Sequence, residues 1–580
     1  MPVKRPSIEE APGLAGDFLD QKLLDRGSAS GSTRVSLKDD PPLLTLPSDD
    51  NRPLKQRGFW WRSVKHDPDA IATQPSVFDD PITLELYRPP PSYENTHRFD
   101  PNARWTWREE KRVVRKIDFR IMLWTFVMFS ALDLDRGNVS QALTDNFLED
   151  LHITTDDFNL GNTLSRLSFL FAELPAQIVS KRVGPDVWIP TQMVLWSVVA
   201  LSQYWLSGRT SFLATRFLLG FMQGGFIPDV VLYLSYFYTK TELPIRLAWF
   251  WLANYTTQII GAFIATGILQ LRGKNGAAGW RYLFLIEGIF TCLCGLLSFA
   301  LMPAGPTQTK AWFRPNGWFT EREETIMVNR VLRDDPSKSD MHNRQGLTPK
   351  MIWQSLCDWR MWPLYILGMT HMIPVGPPNI YLTLSLRDLG FNTTQSNLLS
   401  IPAYVIGAIG LLATCYLSEL IDNRVLSTVI LQFWALPLLI ALYTFTTQTS
   451  QWIYFAVVTL IVGYPYVHPI QVAWASRNSY SVRTRTVSAS MYNIFVQAGS
   501  IIYSNIYRAD DKPLYKRGNR ILIGICVLNI ALYLFTSVFY RGINQRREKI
   551  WSSMTPKERV EYLETTEDVG NERLDFRFAY

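Results

Sequence analysis

The amino-acid sequence predicts an all-α integral membrane protein with twelve transmembrane helices in two six-helix bundles. Three observations carry this prediction: recurring apolar windows, a long polar loop at the midpoint, and basic residues in alternate loops. The chain has 580 residues, of which 47% are hydrophobic. From about residue 117 onward, windows of roughly 20 mostly apolar residues recur, and each is long enough to cross a hydrocarbon core as a helix.

The predicted spans fall into two groups of six, separated by the polar loop 303–360. A weak repeat across this loop supports two similar halves, because Gln258 follows Arg246, and Gln497 follows Arg485, at the same offset. Two similar bundles are typical of secondary transporters, whose site lies between the halves. The predicted spans cover about residues 118–140, 157–180, 187–207, 211–236, 244–270, 281–302, 361–386, 395–418, 425–446, 452–473, 486–507 and 520–540.

Charge and composition divide the chain into five segments. Residues 1–116 are rich in Pro, Asp and Ser, which predicts a mostly disordered tail. The N-terminal bundle (117–302), the central loop (303–360), the C-terminal bundle (361–540) and a second tail (541–580) follow. The central loop and both tails carry clustered Lys and Arg, so the positive-inside rule places them in the cytoplasm.

The sequence contains none of the patterns that would predict catalysis or a bound cofactor. Its five cysteines fall mainly within predicted spans and show no metal-ligand spacing. It has no phosphate-binding GxxxxGK[ST] motif and no nucleophile with a matching base. The sequence therefore predicts no enzyme activity, no cofactor, no metal ion and no nucleic-acid partner.

The first span ends in ALDLDRGNVSQAL, residues 131–143. A charge at the bilayer centre costs about 2.5 to 3.5 kcal/mol, so such residues face the bundle interior and often line a transport pathway. Asp133 and Arg136 are three positions apart and could simply pair with each other. The alternative is that Arg136 coordinates an anion through its planar fork of donors, with Asn138 as a second polar group.

The second span adds Arg166 and Glu173, which lie two helical turns apart. Arg166 is predicted to be a second cation at the anion site. Glu173 could carry a proton, but we favour a conformational latch in which it pairs with Lys181 or Arg182.

Proton coupling needs a group whose charge changes during the cycle, and a carboxyl group can do this when burial favours its neutral form. The candidates are Asp135, Glu173 and Asp229, followed by His371 and His468. A lone histidine in a membrane span is more often a hydrogen-bonded packing residue.

The seventh span contains GMTHMIPVGPPN, residues 368–379. Its glycines and prolines predict a broken helix, and Asn379 is predicted to line a cavity there.

Several long motifs resemble one family. They are LDRGNVSQAL, AELPAQIVSKRVGPD, ATRFLLGFMQGGFIPD, ELPIR and GWRYLFLIEG in the first half, with FTEREETIMVNRVLRDDPSKSD, SVRTRTVSASMYNIFVQAGSIIYSNIYRADDKPLYKRGNR and WSSMTPKERVEYLETTEDVGNERLDFRFAY later. Residues 105–580 resemble the anion:cation symporter branch of the major facilitator superfamily. More narrowly, they resemble the fungal allantoate-permease group, and within it the alternative sulphate transporters and sulphonate permeases.

The resemblance implies proton-driven import of an anion across a fungal plasma membrane. Arg136 and Arg216 match substrate-linked arginines of related anion transporters. For Arg216 the alternative is a structural anchor near the outer face. Gln223 stands where many of them carry a glutamate, so that proton site cannot be transferred, and Gln223 is kept as a substrate-binding candidate. Further candidates for gating or latch contacts lie at the loop ends: Lys181, Arg182, Arg246, Asp422, Arg424 and Arg485.

The predicted function is proton-coupled import of a sulphur oxoanion, such as sulphate, an organosulphonate or a sulphate ester, by a monomeric transport unit in the bilayer. A carboxylate permease for allantoate, a vitamin or a small peptide is the alternative, because arginine forks bind sulphonate and carboxylate alike. A third possibility is a transporter-like nutrient sensor that signals through the N-terminal tail.

Overall fold

The computed structural model describes residues 67–91, 93–239, 242–336, 338, 353, 356–421, 423–479, 482–566 and 570–580. Within these ranges the chain is helical, and the β pairing consists of two isolated bridges, Ile71 with Thr106 and Ala311 with Arg314. The predicted all-α class is confirmed.

The first half of the chain forms one bundle, in which α7 packs on α3, α2 packs on α4, and α6 packs on α1. A short helix, Phe147–Asp150, follows α1. The helices are α1 (Leu123–Ala142), α2 (Thr155–Val183), α3 (Pro185–Ser202), α4 (Arg209–Gln223), α5 (Phe226–Leu234), α6 (Leu243–Ile268) and α7 (Gly279–Leu301).

The second half forms a second bundle, in which α13 packs on α17 and α8 packs on α16. The two bundles meet along α6 with α12 and along α2 with α16. The helices are α8 (Trp362–Thr370), α9 (Gly376–Ile380), α10 (Leu382–Asp388), α11 (Thr393–Leu398), α12 (Ile401–Ile421), α13 (Arg424–Thr444), α14 (Gln451–Val462), α15 (His468–Asn478), α16 (Val482–Ser504) and α17 (Lys516–Ser553).

All twelve predicted intervals contain helix, but only some of the helices are both long and apolar. By length and composition, six described helices could cross a membrane: Arg209–Leu234, Trp249–Leu271, Gly279–Leu301, Thr393–Ser418, Arg424–Thr444 and Lys516–Ser553. The first predicted span does not qualify by composition, because it carries three charged residues close together. The seventh and tenth predicted spans do not qualify by length, because their helices are broken.

Two helix breaks have clear local causes. Between α4 and α5, Gly225 has φ of 86°, and a Cβ atom there would lie 2.5 Å from the Cβ of Ala176 on α2. Glycine therefore permits both the turn and the close approach. The predicted break in the seventh span is present between α8 and α9. A further break between α14 and α15, in the sequence GYPYV, was not predicted.

One end of the bundles, called the tail face below, carries the N-terminal segment, the central loop and the C-terminal segment. Residues 1–66 lie outside the described residues. The expectation of a mostly disordered tail does not fit residues 67–116, which include the helices Pro81–Tyr87 and Trp107–Ile117. They pack on a central-loop helix, Glu321–Asp334, which also begins with a capping box.

Ion pairs hold the N-terminal segment to this loop helix. Lys116 Nζ lies 2.6 Å from Glu323 Oε1, and Arg333 Nη2 lies 2.5 Å from Asp79 Oδ1. The sequence-level expectation missed this docking because the partners are more than 200 residues apart. Apolar contacts add to it through a small cluster of Phe78, Tyr93, Val328 and Leu332.

The C-terminal segment docks on the tail face of the second bundle. Helix α17 continues to Ser553, beyond the predicted end of the span, and a helix Pro556–Thr565 follows. Phe578 is buried and stacks on Tyr540, with ring centroids 4.9 Å apart. Trp474 Nε1 donates to the carbonyl of Ala579 at 2.7 Å, so the last residues form part of the packed structure.

Candidate functional site

At the end opposite the tail face, the two halves are joined by hydrogen bonds. Asn159 Nδ2 on α2 donates to the carbonyl of Tyr507 at 2.8 Å, and the hydroxyl of Tyr381 donates to Asn159 Oδ1 at 2.5 Å. Asn397 Nδ2 donates to Thr144 Oγ1 at 3.0 Å. One hydrophobic cluster there contains residues of both halves, whereas toward the tail face each half has its own cluster. These contacts form a seal at the opposite end.

Three arginines lie together in the first half, next to this seal. Arg136 (α1), Arg166 (α2) and Arg216 (α4) are close enough for their charges to interact. We call them the arginine cluster. Arg216 is 5% exposed, and its Nε and Nη1 atoms have no hydrogen-bond partner within the described ranges. The structure thus brings three of the predicted anion-binding residues to one place.

Neutral groups, rather than a carboxylate, hold Arg136 in position. Its Nε donates to Gln223 Oε1 at 3.0 Å, and its guanidinium lies 4.8 Å from the ring centroid of Phe169. Asp133 accepts a hydrogen bond from Asn254 Nδ2 at 2.8 Å instead of forming an ion pair with Arg136. Asp133 interacts electrostatically with Arg136 and Arg166, so among the described residues one carboxylate accompanies three guanidinium groups. The site is therefore positively charged when Asp133 is ionised.

The second half presents aromatic side chains to this site. Tyr466, in the break between α14 and α15, is half-buried and within electrostatic range of Asp133 and Arg166. The ring of His468 lies 5.7 Å from that of Tyr466 and 5.6 Å from that of Trp251 on α6. We call Tyr466 and His468 of the second half, together with Trp251 of the first half, the aromatic wall.

The two histidines proposed as proton relays are stacked, with ring centroids 6.3 Å apart. His371 Nδ1 lies 3.0 Å from the carbonyls of both Leu367 and Gly368, so this nitrogen must carry the hydrogen. That arrangement is typical of a packing histidine. Asn379 lies in α9 and is half-buried, and its role in the cavity stays a prediction.

Asp135 and Asn138 point away from the arginine cluster. They lie one turn apart on the face of α1 that meets α3 and α7, where Asp135 faces Trp196 and Asn138 faces Glu287. The structure therefore does not bring Asn138 into the arginine cluster, although the sequence places it two positions from Arg136. Helical phase separates them, because two residues along an α-helix is a rotation of about 200°.

The other predicted proton and latch residues lie nearer the tail face. Asp229 faces Ser180 and Glu173, and both carboxyl side chains are buried. In the described part of the chain Glu173 makes no ion pair within 4.0 Å. Arg182 is exposed, and the side chain of Lys181 is outside the described set, so the latch stays a prediction.

The remaining gating candidates make contacts within their own half. Arg246 Nη2 lies 3.1 Å from Asp118 Oδ2 in the first half. Arg424 donates from its backbone N–H to the carbonyl of Tyr580 at 3.1 Å. Asp422 and the side chain of Arg485 lie outside what the structure describes.

Sequence reasoning missed three residues that the structure places at or near the site. Glu287 is a carboxyl group within an apolar span, which by itself marks a functional candidate. Asn254 positions Asp133, and Tyr466 is exposed to the site by the GYPYV break. The Gly–Tyr–Pro sequence was a signal for this break, whereas nothing in the sequence pairs Asn254 with Asp133.

The two packed halves with a charged site between them define a multi-pass membrane transporter of the secondary type. The family model described as "Major Facilitator Superfamily" matches residues 125–504, and the chain belongs to this superfamily. Over 523 residues it is 46% identical to "Uncharacterized transporter YIL166C" of Saccharomyces cerevisiae, covering 89% of this chain and 96% of the relative.

More distant comparisons agree on the class. "Uncharacterized transporter C1039.04" of Schizosaccharomyces pombe is 26% identical over 449 residues, covering 76% of this chain and 84% of the relative. Among solved structures, a bacterial homolog of the human lysosomal transporter Spinster in an inward-facing, unoccupied conformation has a TM-score of 0.54. It is 14% identical and covers 74% of this chain and 97% of its own, so this likeness concerns the fold.

Proposed function

We propose that this chain imports a small organic anion, driven by protons, by alternating access between its two halves. The observation that carries the proposal is the arginine cluster, in which three guanidinium groups lie within electrostatic range of one another and Arg166 is also within range of Tyr466 of the second half. Arginine binds sulphonate, sulphate and carboxylate oxygens through charge-assisted hydrogen bonds. The free donors of Arg216 are available to such a ligand.

The preferred ligand is a sulphur oxoanion with an organic body, namely an organosulphonate or a sulphate ester. The arginine cluster alone would serve bare sulphate, whereas the aromatic wall provides apolar and π surface opposite the charges. A sulphur oxoanion is preferred over a carboxylate such as allantoate, because the loop and C-terminal motifs resemble those of sulphonate and sulphate carriers. These motifs lie outside the site, so a carboxylate substrate is a defined outcome of the test.

The proposed cycle rests on the seal between the halves. In the conformation of this structure, the seal lies between the arginine cluster and the end of the bundles opposite the tail face. If the tail face is cytoplasmic, as the basic loops predict, this is a state closed to the outside. Binding from outside then requires the hydrogen bonds of Asn159 and Asn397 to open, which suits alternating access by a monomer in the plasma membrane.

The test is uptake of radiolabelled sulphate and of a labelled organosulphonate into yeast cells that lack their own sulphate permeases. Uptake is measured at external pH 5 and pH 7, with unlabelled sulphonate or allantoate in excess as competitor. We expect organosulphonate uptake that rises at pH 5 and is blocked by sulphonate. Accumulation of allantoate instead would show that the substrate is a carboxylate. The absence of uptake of all of these anions would contradict the proposed function.

A further inference from the structure

Two carboxyl side chains are buried together inside the first bundle, apart from the arginine cluster. Asp135 on α1 is 0% exposed and Glu287 on α7 is 1% exposed. Within the described ranges, none of their four carboxyl oxygens has a hydrogen-bond partner within 3.5 Å in good geometry, although the donors Thr291 and Trp196 face Asp135 and Asn138 faces Glu287. The two groups are close enough to influence each other electrostatically. Buried polar atoms are normally hydrogen-bonded, so this pair requires an explanation.

The groups around the pair carry no compensating positive charge. Asp135 faces Trp196 on α3 and Thr291 on α7, and it also lies near the thiol of Cys294. Glu287 faces Asn138 on α1. None of these neighbours is a cation.

The nearest charged residues in sequence point elsewhere. Arg136 donates to Gln223 on α4, and Asp133 accepts from Asn254 on α6. Their side chains therefore leave α1 on a different face from Asp135, as a helical rotation of about 100° per residue requires.

We propose that Asp135 and Glu287 form a proton-binding carboxyl pair and that this pair carries the coupling proton; the second part rests on the proposed function. Two carboxylates in a low-dielectric interior without a cation cannot both be ionised, because desolvation and mutual repulsion both favour the neutral form. The pair therefore holds a proton in the described state. The pair releases this proton when water reaches it and solvates the second carboxylate, and the amide of Asn138 can donate a hydrogen bond to Glu287.

The pair has a direct route to the anion site. Asp135 and Arg136 are consecutive residues of α1, so a rotation of α1 that exposes the pair to water also moves the guanidinium of Arg136. Anion binding at Arg136 and proton exchange at Asp135 would then bias the same helix, which is what coupling between two sites requires. Glu173 shares α2 with Arg166 but lies two turns from it, whereas Asp229 and the histidines lie on elements that carry no arginine of the cluster.

The transport test uses the full-length protein reconstituted in liposomes, with the labelled anion that wild type accumulates. Glu287→Gln and Asp135→Asn should each reduce pH-gradient-driven accumulation about tenfold while changing exchange of internal for external anion less than about twofold. The exposed Glu149→Gln serves as control and should change neither. Normal uphill accumulation by both variants would overturn the coupling role and leave Glu173, Asp229 and the histidines as the alternatives.

A spectroscopic test separates this inference from the proposed function. Infrared spectra of purified protein at pH 7 should show a carboxylic-acid C=O band that decreases in both Glu287→Gln and Asp135→Asn but not in Glu149→Gln. This readout needs no substrate and remains valid if none of the anions is transported. A band unaffected by both variants would overturn the proton pair. Elution of each variant as a monodisperse peak controls for folding.

Discussion

The two halves of this transporter have the same architecture but different interiors. The first half concentrates charge, with the arginine cluster, Asp133 and the pair of Asp135 and Glu287. The second half contributes the rings of Tyr466 and His468 to this site, and its own interior is joined by neutral hydrogen bonds, such as the chain from Tyr492 through Gln471 to Tyr533. On the proposed function, the first half supplies the charge that binds the anion and the second half supplies the surface that contacts its organic body.

The tail face repeats this difference. The first half is held to its N-terminal segment and loop helix by ion pairs, including Arg330 with Glu242 at 2.8 Å. The second half is held to the C-terminal residues by ring stacking and by hydrogen bonds to backbone carbonyls, as at Phe578 and Ala579. Stability of the first tail segment should therefore depend on salt and pH more than that of the second.

The largest expected effect comes from Arg136→Lys. A lysine keeps the charge but loses the planar fork and cannot donate to Gln223 and a ligand in the same geometry, so we expect uptake to fall about a hundredfold. The control is Arg209→Lys, because Arg209 pairs with Asp157 near the surface and should tolerate the change. Uptake and surface abundance are measured together. Normal uptake by Arg136→Lys would show that the guanidinium fork of Arg136 does not bind the anion.

The next effect is on stability, at the tail face of the first half. Arg330 is 4% exposed, so Arg330→Ala leaves Glu242 without its partner in a partly buried place and should lower the free energy of unfolding by about 3 kcal/mol. Arg322→Ala breaks a more exposed pair with Glu109 and should cost less than about 1 kcal/mol. Thermal unfolding of the detergent-purified proteins measures both. Equal losses would contradict the distinction between buried and exposed pairs.

A smaller effect tests the aromatic wall. Tyr466→Ala should weaken binding of an organosulphonate about tenfold and leave bare sulphate unchanged, because the ring supplies contact area for the organic body. Tyr466→Phe retains the ring and is the matched control. Calorimetric titration of purified protein with both anions measures the two affinities. An equal loss for both anions would mean that Tyr466 supports the site without recognising an organic group.

The smallest effect concerns pH and the N-terminal segment. Burial alone would raise the pKa of Asp79, but the hydrogen bond from Arg333 and the charge of Arg104 lower it below 3.8. A lowered pKa stabilises the fold above the ordinary value and loses this effect as pH falls through the folded value. Asp79→Asn should therefore reduce the loss of unfolding free energy between pH 5 and pH 3 by less than about 1 kcal/mol, since solvent screens this pair. Unfolding temperatures at the two pH values measure this difference.

The control for this titration is Asp157→Asn. Asp157 also accepts hydrogen bonds, from the backbone N–H of Thr154 and from Arg209, but it lies at the opposite end of the first bundle. Its removal should leave the docking of residues 67–116 unchanged, as judged by limited proteolysis. Acid-induced cleavage of this segment that is the same in wild type and in Asp79→Asn would show that the pair does not hold it.

The sequence by itself determined the class of fold and which arginines are candidates for the anion site. Windows of roughly 20 apolar residues are dictated by bilayer thickness, so the spans are visible without any tertiary contact. Arg136 and Arg166 were visible because charge is costly in hydrocarbon and is retained there for a reason. Arg216 was identified because it matches a substrate-linked arginine of the related anion transporters.

The tertiary structure decided which face each polar residue uses and which distant segments meet. Asn138 was assigned to the anion site by its nearness to Arg136 in sequence, but the packing of α1 on α7 turns it toward Glu287. The docking of residues 67–116 on the helix Glu321–Asp334 depends on partners far apart along the chain. Hydropathy reports the burial of a segment, whereas helical phase and long-range ion pairs arise only when the helices pack.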